Sequence, residues 1–397
     1  MAGPPALNRL AGVRFPSAPL NVATATVAYR RTTSLSRTRA DLVGAILASP
    51  EVAALVGELE ALQCTGRKGY GPRVLLGACL VKAIYAIPTW TRTTALIAEH
   101  AALQDAIGGT PSEWSTYRFM TKLRRHNELL SRALERILEA LHHEHPQFGE
   151  EIGIDATDMP AYSSGQKYTS AGPRTTPFSD PDAAWGFRSA VSTRKGGGFF
   201  GFKAHVAVCA RTGLPLAWRV EGGNRQETIF ALDLLDSVMA HGFAPTSCAF
   251  DKGYDHHAVY AGCEERDCRP IIPMRSIKTK KPSEPLACEH GLWTFGGADF
   301  KRHAAKWRCP TGECRPKSRW VKADRRNTLV PRGTERWRRL YRGRAAVERE
   351  FGRLKNEYGL APLRVRGIDR VQLHVDLVML ARLAHALARA RETNAAA

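Results

Sequence analysis

The chain has 397 residues, of which 44% are hydrophobic and 24% are charged. This mixture is typical of a globular protein with a sizeable buried core, and it excludes a wholly disordered chain or a small disulfide scaffold. The formal net charge is +20, and residues 271–370 alone hold 26 basic and 10 acidic side chains, which indicates a polyanionic partner.

Membranes and oxidising compartments are not indicated by the sequence. No run of 18 apolar residues is free of charge, so we predict no membrane-spanning helix and no membrane partner. The nine cysteines are an odd number in a long chain that shows no signal-peptide pattern. We therefore expect reduced thiols and a cytoplasmic protein.

Two N-terminal segments differ in character. Residues 1–40 contain six arginines and no acidic residue, and we predict that they form a disordered basic arm. Residues 41–148 are predicted to form a helical DNA-binding domain, because apolar residues recur there at spacings of three and four. Within it, residues 91–107, a Gly-Gly-Thr-Pro-Ser turn and residues 113–125 are compatible with a helix-turn-helix.

The second helix of this pair carries the candidates for reading DNA sequence. Arg118 and Lys122 are four residues apart, so they would share one face of that helix. In a major groove such a face contacts base edges. The alternative is a solvated surface helix, which would show the same pattern.

Residues 149–392 are predicted to form an α/β domain. Strand-like segments come first, at residues 151–159, 198–210 and 214–221. Alternating helices and strands then run to Met274, which predicts a mixed sheet with flanking helices. Residues 275–340 lack periodicity and are rich in basic residues, so they are predicted to form a β-rich insertion. Helices at Arg342–Tyr358 and Val371–Glu392 would follow.

Two aspartates occupy places where a carboxylate is unusual. Asp155 lies within an apolar strand, on the face opposite Ile152 and Ile154. A carboxylate there costs free energy unless it is paired or binds a cation. Asp251 ends a second strand, and strand ends are where open sheets place ligands. Both residues are therefore candidates for a metal-binding active site.

A third acid comes from the predicted helix at Arg342–Tyr358. At about 100° per residue, one stripe about 60° wide holds four functional side chains. They are Tyr341, Arg344, Glu348 and Lys355. Glu350 would face away from this stripe, so Glu348 is the better candidate and substitution of Glu350 is predicted to be nearly harmless.

These residues carry a resemblance to a known family. The spacing Y-(2)-R-(3)-E-(6)-K of the four residues in the stripe resembles the signature of bacterial insertion-sequence transposases of the DDE type. Asp155 in Gly-Ile-Asp-Ala-Thr-Asp and Asp251 in Phe-Asp-Lys-Gly-Tyr-Asp match the two aspartates of that family in context and order. The resemblance covers about residues 70–385.

The resemblance implies a ribonuclease-H-like fold of the retroviral integrase superfamily and metal-dependent cleavage and transfer of DNA strands. The implied catalytic residues, which are also the implied metal ligands, are Asp155, Asp251 and Glu348. Oxygen ligands and an anionic substrate favour Mg²⁺ or Mn²⁺, with two ions per active site. Arg344 and Lys355 would hold flanking phosphates, and Tyr341 would stack or hydrogen-bond with DNA.

The implied partners are double-stranded DNA, at the element ends and the target, and a second copy in a homodimer on DNA. Such a protein would be associated with the nucleoid. Two other functions stay open: a related metal-dependent nuclease, and a catalytically inactive, transposase-derived DNA-binding protein. An intact set of acids argues against the inactive protein, because binding alone does not require those carboxylates.

The basic insertion offers two further sites. Arg325 and Arg326 are predicted to contact phosphates and so to raise affinity without setting sequence preference. Four possible zinc ligands also lie there, at Cys288, His290, Cys309 and Cys314. The four residues between the last two cysteines are at the wide end of the usual zinc-ligand spacing, so the sequence leaves zinc binding open.

Overall fold

The computed structural model describes residues 38–62, 69–165, 179–188, 195–275 and 286–396. The predicted basic arm lies outside these ranges apart from its last three residues. Those three residues cap and begin the first helix, where the Thr38 side chain accepts a hydrogen bond from the Asp41 backbone N–H. The predicted nature of the arm stays a prediction.

Helices fill the described part of the chain before the first strand, as the sequence predicted. They are α1 (Arg39–Ala48), α2 (Pro50–Ala61), α3 (Pro72–Ile84), α4 (Trp90–Glu99), α5 (Ala101–Ile107), α6 (Glu113–Arg125) and α7 (Asn127–Glu144). Pro50 begins α2, because proline fits the first helical turn, where its missing N–H costs no hydrogen bond. The chain from Arg39 to Ala61 therefore forms two helices, and residues 91–107 are likewise divided at His100.

A mixed sheet forms the centre of the remaining chain. Its strands are β1 (Glu151–Pro160), β2 (Ala184–Arg188), β3 (Gly197–Cys209), β4 (Pro215–Gly222), β5 (Ser247–Ala249) and β6 (Arg269–Ile271). β1 runs antiparallel to β3 and parallel to β5, β6 runs parallel to β5, and β2 and β4 both run antiparallel to β3. With helices on its faces, this sheet confirms the predicted α/β, ribonuclease-H-like fold class.

Two flanking helices alternate with the last two sheet strands, and two more follow the insertion. They are α8 (Phe230–Ala240) and α9 (His257–Glu265), then α10 (Glu335–Arg342) and α11 (Ala345–Asn356). The helix predicted at Arg342–Tyr358 is found as α11, but it begins later than predicted, because Arg342 ends α10 and Gly343 and Arg344 lie between the two helices. α11 packs on β1 and β3.

The described part of the insertion, from residue 286 to the start of α10, consists of short strands and turns, as predicted, but the predicted end at residue 340 is wrong because α10 begins at Glu335. The strands are β7 (Ala287–Cys288), β8 (Gly291–Leu292), β9 (Thr294–Asp299), β10 (Ala304–Arg308) and β11 (Ser318–Lys322). β7 and β8 form a hairpin, and β9, β10 and β11 form a separate antiparallel sheet.

The last helix, α12 (Ile368–Ala396), joins the helical region to the sheet. It packs against α1, α3 and α7 on one side and against β4 on the other, within one continuous hydrophobic core. By length and composition α12, with a mean hydropathy of 1.3 in its most apolar window, would be able to span a membrane, and the bent pair α1–α2 would also pass. In this structure 72% of the α12 window is buried, as in a core helix of a folded protein.

Candidate active site

Two neighbouring strands bring the predicted aspartates together. Gly153 of β1 lies opposite Ala249 of β5 in the parallel register, and each aspartate follows two residues later. Since adjacent strands lie about 4.8 Å apart, Asp155, midway along β1, and Asp251 lie side by side at the edge of the sheet where β5 ends. The Asp251 carboxylate also accepts a hydrogen bond from the Gly253 backbone N–H at 2.6 Å, which holds it at the end of its strand.

Helix α11 approaches this edge closely because β1 has a glycine at the crossing point. A Cβ atom on Gly153 would lie 2.7 Å from Cγ2 of Val347 and 3.6 Å from Cα of Arg344. Val347 is fully buried, so it cannot move aside into solvent. The absence of a side chain at Gly153 therefore sets the height at which the first turn of α11, with Glu348, stands over the strand.

Arg344 joins two of the three acids. Its Nη2 lies 3.0 Å from Oδ2 of Asp155 and its Nη1 lies 2.8 Å from Oε1 of Glu348. The Asp155 side chain is 14% exposed, whereas that of Glu348 is 60% exposed. One guanidinium thus holds a buried and an accessible carboxylate within reach of a common ligand.

The charge balance of this cluster favours an added cation. Burial raises the pKa of Asp155 to about 7. Arg344 and the Ala156 backbone N–H oppose that shift, while the negative charges of Asp251 and Glu227 add to it. A single arginine therefore does not neutralise the carboxylates, and oxygen ligands in this arrangement suit a hard divalent ion.

Two other side chains of the predicted stripe stand beside this cluster. The Lys355 ammonium lies 3.6 Å from Oδ1 of Asp158, whose Oδ2 accepts from Arg188 at 3.1 Å. Tyr341 belongs to α10, and its ring stacks on Trp337 with centroids 4.8 Å apart. The four residues therefore do not form a stripe of one helix, although α10 and α11 together bring them to one side of the sheet.

Comparison with known proteins shows the family to which this chain belongs. The family model of the transposase DDE domain matches residues 146–384, more than half of the chain. The chain belongs to this transposase family. A search of curated proteins gives no significant match.

A solved structure of piggyBac transposase, in a synaptic complex with hairpin DNA, is similar to this chain with a TM-score of 0.45 and 9% identity. The match covers 92% of this chain and 77% of that one. Enzymes of the transposase DDE family generally use divalent metal ions.

Glu350 of the transposase has a role that the sequence analysis missed. Its side chain is fully buried, where Arg382 of α12 donates two hydrogen bonds at 2.7 and 3.2 Å and Arg353 donates one at 2.7 Å. Its substitution is therefore expected to destabilise the fold, which the sequence analysis did not foresee, whereas its predicted small effect on cleavage stays a prediction. Glu350 points away from the acidic cluster, as expected, but it points into the protein and not into solvent.

Glu227 is a further acid near the cluster, and it was not among the predicted catalytic residues. It lies in a short 3₁₀ turn before α8, and Lys203 of β3 donates to it at 2.8 Å. Its charge contributes to the raised pKa of Asp155, so it stands near the cluster. Its position shortly after the strand-like segment at residues 214–221 was the signal available in the sequence.

The predicted DNA-contacting residues of the N-terminal helices are in different surroundings. Arg118 of α6 is exposed, and Trp114 and Tyr117 beside it are 78% and 48% exposed. The Lys122 ammonium instead donates to the Leu59 carbonyl oxygen at 3.0 Å, at the end of α2. Lys122 therefore ties α6 to α2 in this structure, and it is not presented on the same open face as Arg118.

The predicted pair in the insertion is divided in the same way. Arg325 donates to both oxygens of Asp255, at 2.8 and 2.5 Å, and the Asp255 side chain is fully buried. Arg326 is exposed. Of the two guanidinium groups, that of Arg326 is open to a phosphate, whereas that of Arg325 compensates a buried carboxylate.

Proposed function

We propose that this transposase binds the ends of an insertion sequence and catalyses metal-dependent cleavage and transfer of their strands. The observation that carries the proposal is the meeting of Asp155, Asp251 and Glu348 at one edge of the sheet, beside Arg344 and inside the matched domain. In this proposal residues 41–148 form the DNA-binding region and residues 149–392 the catalytic domain.

The three acids would hold two Mg²⁺ or Mn²⁺ ions. When bound, such ions activate a water or 3′-hydroxyl group and stabilise the leaving oxygen of the phosphodiester. Asp155 must give up its proton to become a ligand, and its raised pKa places that step near neutral pH. Arg344 orients Asp155 and Glu348 toward each other before metal and DNA arrive.

Basic side chains around the acids would position the DNA backbone. Lys355, whose ammonium lies 3.6 Å from Asp158, and the exposed Arg326 of the insertion are suited to phosphate contacts. Tyr341 presents a ring beside the acids for stacking or a hydrogen bond. On the N-terminal side, exposed Arg118 is the stronger candidate for contacting base edges, because Lys122 is already bonded to α2.

Transposition joins two element ends, so we propose that the protein acts as a homodimer on double-stranded DNA, in the cytoplasm at the nucleoid. Two alternatives make different predictions. A metal-dependent nuclease would cut end DNA without joining a precut 3′-hydroxyl end to a target. An inactive DNA-binding protein would shift end DNA in a gel but would not cut it.

The test uses duplex DNA containing the inverted repeats that flank the coding sequence. Asp155→Asn, Asp251→Asn and Glu348→Gln are each expected to abolish Mg²⁺- or Mn²⁺-dependent cleavage and strand transfer while binding to end DNA persists. Glu357→Gln is the matched control, because Glu357 lies at the other end of α11 and its side chain is 64% exposed. Cleavage by any of the three variants at the wild-type rate would refute the assignment of that residue.

A further inference from the structure

Three cysteines of the insertion meet in the folded chain although 20 residues separate the first from the second. The Sγ atoms of Cys288, Cys309 and Cys314 all lie within 4.8 Å of one another. The Cys288 and Cys309 sulfurs are 3.8 Å apart. Two thiolates bound at about 2.3 Å to a tetrahedral zinc ion would be separated by about 3.8 Å. The spacing is thus that of ligands around a shared ion.

The cluster lies where the insertion has almost no hydrophobic core. In the described residues from 286 to 327, the buried apolar side chains are Ala305 and Cys309. Phe295, Leu292 and Trp320 are all exposed. A hairpin with two-residue strands and a three-stranded sheet cannot be stable on so little buried apolar surface. A structural metal is one of the usual substitutes for a hydrophobic core.

The cysteines come from segments that need to be held together. Cys288 ends the first strand of the β7–β8 hairpin, and Cys309 and Cys314 flank the turn that leaves β10. An ion bound by all three would fix the hairpin to the three-stranded sheet. A disulfide would join only two of them and would leave the third thiol without a partner.

The same hairpin that carries Cys288 also carries a candidate for a fourth ligand. His290 lies in the turn of the β7–β8 hairpin, two residues after Cys288. Its Nδ1 is 3.2 Å from the carboxylate of Glu313, which directly precedes Cys314. The imidazole is therefore held against the residue that precedes the third cysteine, which makes His290 the candidate for the fourth ligand.

We propose that Cys288, Cys309 and Cys314, completed by His290, bind one structural Zn²⁺ ion that stabilises the insertion. Sulfur and imidazole ligands of this kind, with four positions filled by the protein, are typical of closed zinc sites. The ion would replace the missing hydrophobic core and would give the basic insertion a fixed shape. This site is separate in position and chemistry from the carboxylate cluster.

Zinc content of the full-length protein, purified without chelator and measured by plasma mass spectrometry, tests the proposal. We expect one zinc per chain in the wild type and in Glu348→Gln, whose substitution lies in the carboxylate cluster. We expect its loss in Cys288→Ser, Cys309→Ser and Cys314→Ser, and a weaker retention on dialysis in His290→Ala. Cys263→Ala, a buried cysteine of α9, is the matched control and should keep its zinc.

A second measurement does not depend on whether the variants fold. Co²⁺ added to the metal-depleted wild type should give thiolate-to-cobalt charge-transfer absorption, and Zn²⁺ should displace it. Absence of zinc together with absence of that absorption would overturn the site. An intact-protein mass lower by two hydrogens, which signals a disulfide, would also overturn it. Unchanged zinc retention in His290→Ala would overturn the assignment of the fourth ligand.

Discussion

Removal of the buried charge at Glu350 should lower the stability of this protein without altering the chemistry of its active site. In Glu350→Ala, Arg382 loses both hydrogen bonds to the carboxylate and remains almost buried, with 10% of its side chain exposed. Arg353, at 37% exposure, can turn to water. The cost therefore comes chiefly from Arg382, whose charge is left without a partner in the core.

The expected magnitude follows from that burial. Breaking a buried ion pair by removing one partner costs about 3–5 kcal/mol. The entropy of unfolding of a cooperative unit of this size is about 0.75 kcal/mol/K, so Tm should fall by about 4–7 °C. Replacing both Glu350 and Arg382 by methionine should recover much of that loss, because no uncompensated charge stays buried.

Calorimetry measures the change in Tm directly, and two variants on the same helix serve as controls. Arg349→Ala removes an exposed neighbour and should change Tm by less than about 1 °C. Glu348→Gln should leave Tm near the wild-type value while abolishing cleavage. An unchanged Tm in Glu350→Ala, or a double variant no more stable than the single one, would refute the reasoning from the buried pair.

Three further outcomes follow from the structure. Gly153→Ala should push α11 off the strand through Val347 and lower cleavage by about 100-fold, with end-DNA binding kept in a gel-shift assay. Because the pKa of Asp155 is raised to about 7, Mn²⁺ affinity measured by calorimetry should rise, with proton release, as pH increases through that value. The metal-free protein should lose stability as pH rises from the ordinary carboxyl range to about 7. Asp155→Asn should show neither effect. Arg325→Ala should lower the free energy of unfolding by about 1–3 kcal/mol. Arg326→Ala should leave Tm unchanged and should reduce the slope of log DNA affinity against log salt concentration by about 1. The reverse pattern would contradict the assignment of Arg325 to Asp255.

The order of strands and helices was predictable because it depends on local patterns. The strand containing Asp155 and the helix α6 at residues 113–125 are found where the periodicity predicted them. Helix breaks were less predictable. Gly343 and Arg344 interrupt a segment with continuous helical spacing, and that break depends on how α10 and α11 pack against different parts of the sheet.

The surroundings of a side chain could not be predicted from the sequence where its partner is distant in the chain. The helical wheel correctly separated Glu350 from Glu348, but it cannot distinguish solvent from a protein interior. Arg382, which decides the matter, comes 32 residues later. In the same way, the partner of Arg325 lies 70 residues earlier, so a candidate phosphate ligand was predicted where the structure has an internal ion pair.

The position of α12 also constrains how the chain acquires its structure during synthesis. The N-terminal helices α1, α3 and α7 pack against a helix that the ribosome makes more than 220 residues after α7 ends. At about 5–20 residues per second, that delay is about 10–45 s, during which the apolar face awaiting α12 lacks its native cover. A nascent chain stalled within this interval should therefore expose that face to chaperones and proteases, and release of α12 should end the exposure.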